Sequence, residues 1–312
     1  MKRALYLIVL SCPLAVTPLG CAQEVRQADS RPWKIVFESE REGNSDIYVI
    51  DPDGSSLQRL THTLGEKVRH WEAQWSPDRS KILFASNRHG GTFELYVMNA
   101  DGSDIRRLTE TPGEGRSSWS GDWSPDGKQI VFNSNRDGVA EGGRGYDIYV
   151  MAADGSDVRR LTREEGFEGT PAWSPDGKQI AFGFGPPGYP QIYVMDSDGG
   201  NVRRLTHADG LAAARPAWSP DGKKIAFMST PHASVERDEW RDIYVMNADG
   251  SNVERLTNSP GNHFHPVWSP DGKKIAFASN RDGQHGIFVM DADGSNVKRL
   301  TSSSKWEGHT DW

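Results

Sequence analysis

Residues 268–301 read WSPDGKKIAFASNRDGQHGIFVMDADGSNVKRLT, and this stretch is one copy of a unit that recurs along the chain. The tetrapeptide Trp-Ser-Pro-Asp stands at five places, 45 to 50 residues apart: Trp75, Trp123, Trp173, Trp218 and Trp268. Self-similarity at such a period is typical of repeat architectures, in which every unit forms the same small piece of structure. Function is therefore expected where the copies differ.

Each copy contains four segments with the composition of β-strands. In the last copy, residues 274–279, 286–290 and 296–301 are rich in strand-forming residues, and clusters of Asp, Asn and Gly separate them as in hairpin turns. A further strand is predicted before the tryptophan, at residues 263–268 here and at 116–123 in an earlier copy. Four antiparallel strands make one blade of a β-propeller.

The two ends of the chain predict how the ring closes. The first copy begins at Trp33 with a run that matches residues 81–84, so it lacks the strand that should precede it. The C-terminal residues 307–312, EGHTDW, match EGTPAW at 168–173 and supply that strand. We therefore predict an all-β, six-bladed propeller of four-stranded antiparallel blades over residues 33–312. The C-terminal strand would complete the first blade and leave no open sheet edge.

This pattern resembles the WSPDG-type repeat of the TolB propeller family, which also occurs in the propellers of Tricorn protease and prolyl oligopeptidases. The resemblance covers residues 33–312. It implies a six-bladed propeller that binds a protein or peptide partner in the bacterial cell envelope. TolB proteins also carry an N-terminal α/β domain, for which the residues before Trp33 are too few, so we expect a stand-alone propeller.

The N-terminal residues 1–20 have the pattern of a secretory signal peptide, with a basic start, an apolar stretch and small residues at the end. The residues before Cys21 resemble a lipoprotein cleavage site, apart from Pro18 where leucine is usual. This resemblance implies cleavage before Cys21 and lipidation of its thiol. The alternative is cleavage after Ala22, which would leave a soluble periplasmic or secreted protein. Residues 21–32 are polar and are predicted to form a flexible tether.

Composition and missing motifs exclude several function classes. The formal charge of −7 argues against a nucleic-acid partner, which would need a basic stripe. The sequence contains no Gly-x-Ser-x-Gly elbow, no phosphate-binding loop and no His-Glu-x-x-His motif. Asp-x-Asp-Gly loops such as residues 51–54 lack the distal Glu of an EF-hand and are interpreted as hairpin turns. We expect a monomer that meets the membrane only through a lipid anchor.

The strand before each tryptophan is the least uniform part of the repeat. We define the third-position row as the residues three before each tryptophan: Glu72, Ser120, Thr170, Arg215, His265 and His309. The fifth-position row lies two residues earlier: His70, Ser118, Glu168, Ala213, His263 and Glu307. Because side chains alternate along a strand, both rows are predicted to share the face that lines the central channel. The candidate binding residues are then His70, Glu72, Glu168, Arg215, His263, His265, Glu307 and His309.

The histidines of these rows raise the possibility of a metal site. Imidazole and carboxylate groups that converge on one axis are typical ligands of a divalent transition metal. The candidate ligands are His70, His263, His265 and His309, four of the nine histidines of the chain. The alternative is a polar tunnel filled with water and ion pairs, without any cofactor.

Three functions remain compatible with the sequence. The TolB resemblance implies a non-catalytic binding platform that engages a partner at one rim or in the channel. Some propellers with this repeat are metal-dependent oligogalacturonate lyases, which would give the channel histidines a catalytic role and Arg215 a uronate carboxylate to neutralise. Glycan or small-molecule binding without turnover is the third possibility. Two longer loops, residues 136–146 and 230–240, are further candidate binding elements because loops on rigid scaffolds often carry function.

Overall fold

A computed structural model describes residues 33–63, 67–137, 145–163, 167–186, 190–207, 212–230 and 241–312, except for the side chains of Phe167 and Glu168. Within these ranges the chain forms 24 strands, arranged as six four-stranded antiparallel sheets. This confirms the predicted six-bladed propeller. No helix in the described ranges has the length and apolarity needed to cross a membrane.

The blades follow one another in chain order, and each runs from an inner strand at the channel to a short outer strand. Blade 1 consists of β24 (Glu307–Asp311), β1 (Ile35–Ser39), β2 (Asp46–Ile50) and β3 (Gln58–Arg59). Blade 2 consists of β4 (His70–Trp75), β5 (Lys81–Ser86), β6 (Glu94–Asn99) and β7 (Arg106–Arg107). Blade 3 consists of β8 (Ser118–Trp123), β9 (Gln129–Ser134), β10 (Asp147–Ala152) and β11 (Arg159–Arg160).

The other three blades repeat this order. Blade 4 consists of β12 (Phe167–Trp173), β13 (Gln179–Gly185), β14 (Gln191–Asp196) and β15 (Arg203–Arg204). Blade 5 consists of β16 (Ala213–Trp218), β17 (Lys224–Ser229), β18 (Asp242–Asn247) and β19 (Glu254–Arg255). Blade 6 consists of β20 (His263–Trp268), β21 (Lys274–Ser279), β22 (Gly286–Asp291) and β23 (Lys298–Arg299). The outer strand of blade 6 is therefore shorter than the predicted residues 296–301.

The C-terminal strand closes the ring as predicted. β24 pairs antiparallel with β1, and Glu307 lies opposite Ser39 while Asp311 lies opposite Val36. Blade 1 is thus built from both ends of the propeller, and blade 6 packs directly against β24. This pairing gives β1 a hydrogen-bonded neighbour on its inner side, so blade 1 has four strands like the other blades.

The hydrophobic core consists of layers between neighbouring blades. Trp75 of blade 2 packs against the cluster that contains Val36 and Ile47 of blade 1, and its indole N–H donates to the Lys34 carbonyl at 3.0 Å. Trp312 likewise lies in the cluster that contains Ile287 of blade 6. The repeated tryptophans therefore join blades. Four of them are buried and Trp75 and Trp218 are partly buried, so these large side chains contribute to the hydrophobic stabilisation of the ring.

Every inner strand contains a bulge at its third-position residue. In blade 2, Trp71 lies opposite Ala85 but Gln74 lies opposite Leu83, so β4 has one residue more than β5 between these pairs. All six third-position residues have a left-handed φ between 45° and 57°. A bulge of this kind breaks the alternation of side chains along the strand. The third- and fifth-position rows therefore do not share a face, and the prediction that they do is wrong.

Candidate functional site

A cavity of about 280 Å³ lies on the channel axis. The bulges turn the third-position side chains toward this axis, and all six line the cavity: Glu72, Ser120, Thr170, Arg215, His265 and His309. The cavity continues along the residues just before each tryptophan to the turn prolines Pro175 and Pro220. It therefore reaches from the middle of the channel toward the face that carries the Trp-Ser-Pro-Asp turns.

An ion pair crosses the channel between opposite blades. The Arg215 guanidinium of blade 5 lies 2.8 Å from the Glu72 carboxylate of blade 2, and the two side chains are 20% and 8% exposed. Burial alone would raise the pKa of Glu72, but the charges of Arg215 and His309 outweigh burial and hold it below the ordinary value of 4.5. Glu72 is thus a stable anion at the centre of the site.

His309 lies between two carboxylates. Its Nδ1 contacts Glu38, and its Nε2 lies 3.3 Å from Glu72 Oε1. The ring stacks on His265 with 4.0 Å between centroids, and the His309 backbone N–H donates to His265 Nδ1 at 3.1 Å. Burial, followed by the charge of Arg215, places the pKa of His265 well below 6.5. His265 is therefore neutral, with its proton on Nε2.

Glu38 belongs to this cluster although the sequence analysis did not select it. It is fully buried in β1, and burial raises its pKa to about 7 even though His309 opposes the rise. Glu38 follows Phe37, and every other blade has a phenylalanine at the same place in its second strand. The residue after that phenylalanine is uncharged in the other five blades: Ala85, Asn133, Gly183, Met228 and Ala278. A comparison of this strand position between copies would have found Glu38.

Two further cavity residues, Asp122 and Asp311, were also missed. Each stands directly before a repeat tryptophan and accepts the backbone N–H of the tryptophan in the next blade, from Trp173 at 2.6 Å and from Trp75 at 2.8 Å. Burial raises the pKa of Asp122 to about 7, and the nearby charge of Asp311 adds to the rise. Burial also raises the pKa of Asp311, to about 6. The cavity thus holds carboxyl groups that titrate near neutral pH.

The fifth-position histidines lie inside the blade interfaces instead of the channel. His70 Nδ1 lies 2.9 Å from Ser86 Oγ, and its Nε2 lies 2.7 Å from Thr63 Oγ1. His263 is held in the same way, with Nδ1 at 2.8 Å from Ser279 Oγ. Both rings are fully buried, and burial is the main cause that lowers the pKa of each, to about 4 for His70. The prediction that His70 and His263 line the channel is therefore wrong.

Glu307 is also an interface residue. It accepts a hydrogen bond from Ser39 Oγ at 3.1 Å and contacts Arg41 and Thr301. At the interfaces of His70 and His263, a carboxylate of the preceding blade lies near the histidine: Asp46, the first residue of β2, and Asp242, the first residue of β18. The matching residue of blade 6, the first of β22, is Gly286. Glu307 thus supplies the carboxylate that Gly286 lacks.

Some predicted residues lie outside the described structure. The side chain of Glu168 is among them, as are Cys21, the signal peptide and the tether at residues 1–32. Most of the two candidate binding loops, residues 136–146 and 230–240, also lies outside the described residues, namely 138–144 and 231–240.

The candidate metal ligands separate into two groups. Only His265 and His309 meet at the axis, while His70 and His263 are held by hydrogen bonds in different blade interfaces. Both ring nitrogens of His309 face carboxylates, and His265 Nδ1 already accepts a backbone N–H. In the parts of the chain that the structure describes, no three His, Cys, Asp or Glu side chains are grouped to hold a metal ion.

Comparison with known proteins agrees with the fold. The family described as TolB beta propeller domain matches residues 30–143, 122–235 and 212–312. The structure of TolB from Acinetobacter baumannii is similar with a TM-score of 0.73 and 24% identity, over 89% of this chain and 66% of that one, just under two thirds of its length. A candidate TolB from Agrobacterium tumefaciens gives 0.64 and 26% identity, over 88% of this chain and 90% of that one.

A more distant likeness concerns an enzyme. An oligogalacturonate lyase in complex with manganese has a TM-score of 0.57 and 18% identity, over 85% of this chain and 73% of that one, and this shows a shared fold. A search of the curated proteins gave no match. The three family matches together span the whole ring, and the chain belongs to the TolB β-propeller domain family.

Proposed function

We propose that this chain is a non-catalytic binding platform of the bacterial cell envelope, and that the axial cavity is where it takes a protein segment or a small ligand. The observation that carries the proposal is the cavity of about 280 Å³, into which the six third-position side chains converge with five residue types among them. A concave pocket with a few converging polar groups and perturbed pKa values is the usual form of a ligand site.

The geometry favours entry from the face of the Trp-Ser-Pro-Asp turns. The Glu72–Arg215 pair crosses the channel at one end of the cavity, and Pro175 and Pro220 of the turns line the other. The surrounding ring is preformed: repeat tryptophans lie between blades, and the indole N–H groups of Trp75, Trp218 and Trp268 each donate to a carbonyl of the preceding blade. A preformed site of this kind loses little conformational entropy when a ligand binds.

The envelope location rests on the leader and on the family. A chain with the signal-peptide pattern of residues 1–20 would be exported. Lipidation at Cys21 would hold it at the periplasmic face of a membrane, and cleavage after Ala22 would release it as a soluble periplasmic or secreted protein. We propose a monomeric propeller in either case, with a protein or peptide of the envelope as partner.

The lyase alternative has less support from the site. It needs a metal ion held by channel histidines, and the two that reach the axis use three of their four ring nitrogens for other contacts. Glycan or small-molecule binding without turnover would use the same cavity as a protein segment. The experiment must therefore separate a protein partner, a small ligand and a metal-dependent reaction.

A photo-crosslinking residue in the apolar wall of the cavity tests the proposal in cells that produce the chain. Ala217 lines the cavity, whereas Val253 is 53% exposed on the outer surface and serves as the control position. The expected result is a discrete adduct from position 217, absent from position 253 and lost when Val267→Trp fills the cavity. Mass spectrometry of the adduct distinguishes a protein from a small ligand.

Two results would contradict the proposal. An adduct that persists unchanged in the Val267→Trp variant would place binding elsewhere on the ring. Stoichiometric metal in the purified chain, together with eliminative cleavage of oligogalacturonate, would favour the lyase instead.

A further inference from the structure

The cavity has two unlike walls. The residues just before the tryptophans of blades 1, 2 and 3 are polar, and those of blades 4, 5 and 6 are apolar. In order around the ring they are Asp311, Gln74, Asp122, Ala172, Ala217 and Val267, and all six line the cavity. Prolines Pro216 and Pro266 extend the apolar wall.

The carboxylates of the polar wall are balanced by few cations. The charge of Arg79 acts on Asp311 but is outweighed there by burial, and no cation is among the causes that shift the pKa of Asp122. Gln74, with its amide oriented to suit both neighbours, donates to Asp122 Oδ1 at 2.8 Å and to the Gly121 carbonyl at 3.1 Å. These neutral donors order the carboxylates but do not balance their charge, which leaves them able to attract a cation.

A second, independent feature also indicates a missing ligand. Ser120, on the same strand as Asp122, lines the cavity and is 4% exposed. Its hydroxyl lies beside Glu72 and lowers the pKa of that carboxyl, yet it makes no hydrogen bond of normal geometry. Buried hydroxyls almost always have a hydrogen-bond partner, so the exception calls for one.

We propose that this cavity recognises a primary ammonium group carried on an apolar stem, with Asp122 and Asp311 as its anionic partners. The proposal rests on the proposed function, in which the cavity is the binding site. An ammonium group has three N–H donors, which the two carboxylates and the Ser120 hydroxyl can accept. Its methylenes would lie against Pro216, Pro266 and the neighbouring apolar residues.

The chemistry of the walls favours an ammonium over a metal ion. Calcium and magnesium take six or more oxygen ligands arranged around them, whereas half of this cavity is apolar. Arg215, which also lines the cavity, does not oppose a cation strongly because Glu72 neutralises it. The ammonium can come from a lysine side chain or N-terminus of a protein partner, or from a free amine.

Binding should strengthen as the pH rises through the range where the two aspartates ionise. Their pKa values of about 7 and about 6 mean that both are anionic only at neutral pH and above. The other charged or titratable groups around the cavity are Glu38, Glu72, Arg79, Arg215, His265 and His309. Of these, Glu38 has a pKa in the same range, so the Asp variants are needed to assign the effect.

Calorimetric titration of the purified chain tests this inference with two amine probes and one neutral control. The probes are n-butylamine and a short blocked peptide with a single lysine, and n-butanol is the neutral control. Asp122→Asn and Asp311→Asn each keep an acceptor for the tryptophan N–H, so the fold is expected to survive. Asp249→Asn, at an exposed hairpin turn, is the matched control.

The expected result is amine binding that weakens about tenfold or more in either cavity variant, since each loses a charge-assisted contact. The Asp249→Asn variant and the wild type should bind alike, and n-butanol should not bind. If only the peptide binds, the amine comes from a protein partner; if only n-butylamine binds, it is a small molecule.

Equal binding of n-butanol, or amine binding unchanged in Asp122→Asn and Asp311→Asn, would overturn the inference. Ser120→Ala removes the third acceptor without touching the tryptophan contacts and should also weaken amine binding, which keeps the inference testable if an Asn variant is unstable. Absence of amine binding, with the position 217 crosslink intact, would reject the ligand chemistry and leave the proposed function standing.

Discussion

The ion pair across the channel gives the sharpest prediction for stability. Two unit charges 4 Å apart attract each other by about 4 kcal/mol at an effective dielectric of 20, and desolvation offsets part of this. Glu72 is 8% exposed and Arg215 20% exposed, so water reaches the pair only from the cavity. We therefore expect Glu72→Gln and Arg215→Met each to lower the free energy of unfolding by about 2–3 kcal/mol.

The double variant separates this coupling from other effects of the two substitutions. Glu72→Gln with Arg215→Met should cost about 2 kcal/mol less than the sum of the single variants, measured by urea unfolding. The same cycle on Lys274 and Asp291, a pair at 2.7 Å whose side chains are 47% and 33% exposed, should show almost no coupling. A cycle at Glu72 and Arg215 that closes to within about 0.5 kcal/mol of additivity would refute a direct interaction across the channel.

Three further predictions concern the bulge, the buried acids and the closure of the ring. Thr170 is β-branched at φ 50°, so Thr170→Asn should raise the free energy of unfolding by about 0.5–1 kcal/mol in urea, whereas an unchanged or lower value would argue against strain. The raised pKa of Asp122 favours folding fully below about pH 4, and this contribution is lost as the pH rises to about 7; wild type should therefore lose about 2–4 kcal/mol more than Asp122→Asn between pH 4 and 8. If wild type and Asp122→Asn showed the same pH dependence of unfolding in chemical denaturation, the raised pKa of Asp122 would be contradicted. Glu307→His should lower the free energy of unfolding by about 2–3 kcal/mol, because the acid of this blade interface is lost. Adding Gly286→Asp should recover at least half of that loss, since Asp stands at the matching position in the interfaces of His70 and His263. No recovery would show that Glu307 has a role other than replacing this acid.

The repeat made the architecture predictable from the sequence alone. β20 and β21 have the predicted bounds, because Pro, Asp and Gly mark the turns and apolar runs mark the strands between them. The sixth blade followed from the match between residues 307–312 and 168–173. Local turn chemistry and self-similarity were sufficient there because each blade has to bury the same face.

The usual alternation of side chains along a strand did not predict the side-chain directions in the inner strands. Left-handed backbone is usually signalled by Gly or Asn, but Thr170, Arg215 and His309 occupy it here. The bulge recurs in all six inner strands, three residues before the tryptophan, although the residue types there differ. His70 and His263 were therefore placed in the channel, although the histidine, serine and threonine pattern around them belongs to a blade interface.

The three additional acids of the site could have been recognised from the sequence by comparing the repeats. Glu38, Asp122 and Asp311 are charged at repeat positions where most other copies have uncharged residues. Row-by-row comparison of every strand position would have selected them. Their contacts with His309 and with the tryptophan backbone required the structure, because they join blades that are distant in sequence.

The candidate site requires the third-position residues to face one another across the channel, and a crosslink measures this directly. Cysteines at positions 72 and 215, treated with a short bifunctional maleimide in the folded chain, should give an intramolecular crosslink between blades 2 and 5 that mass spectrometry identifies. Cysteines at positions 70 and 263 should give none, because both positions are fully buried in separate interfaces. The reverse outcome, a crosslink from 70 to 263 and none from 72 to 215, would contradict the assignment of the site.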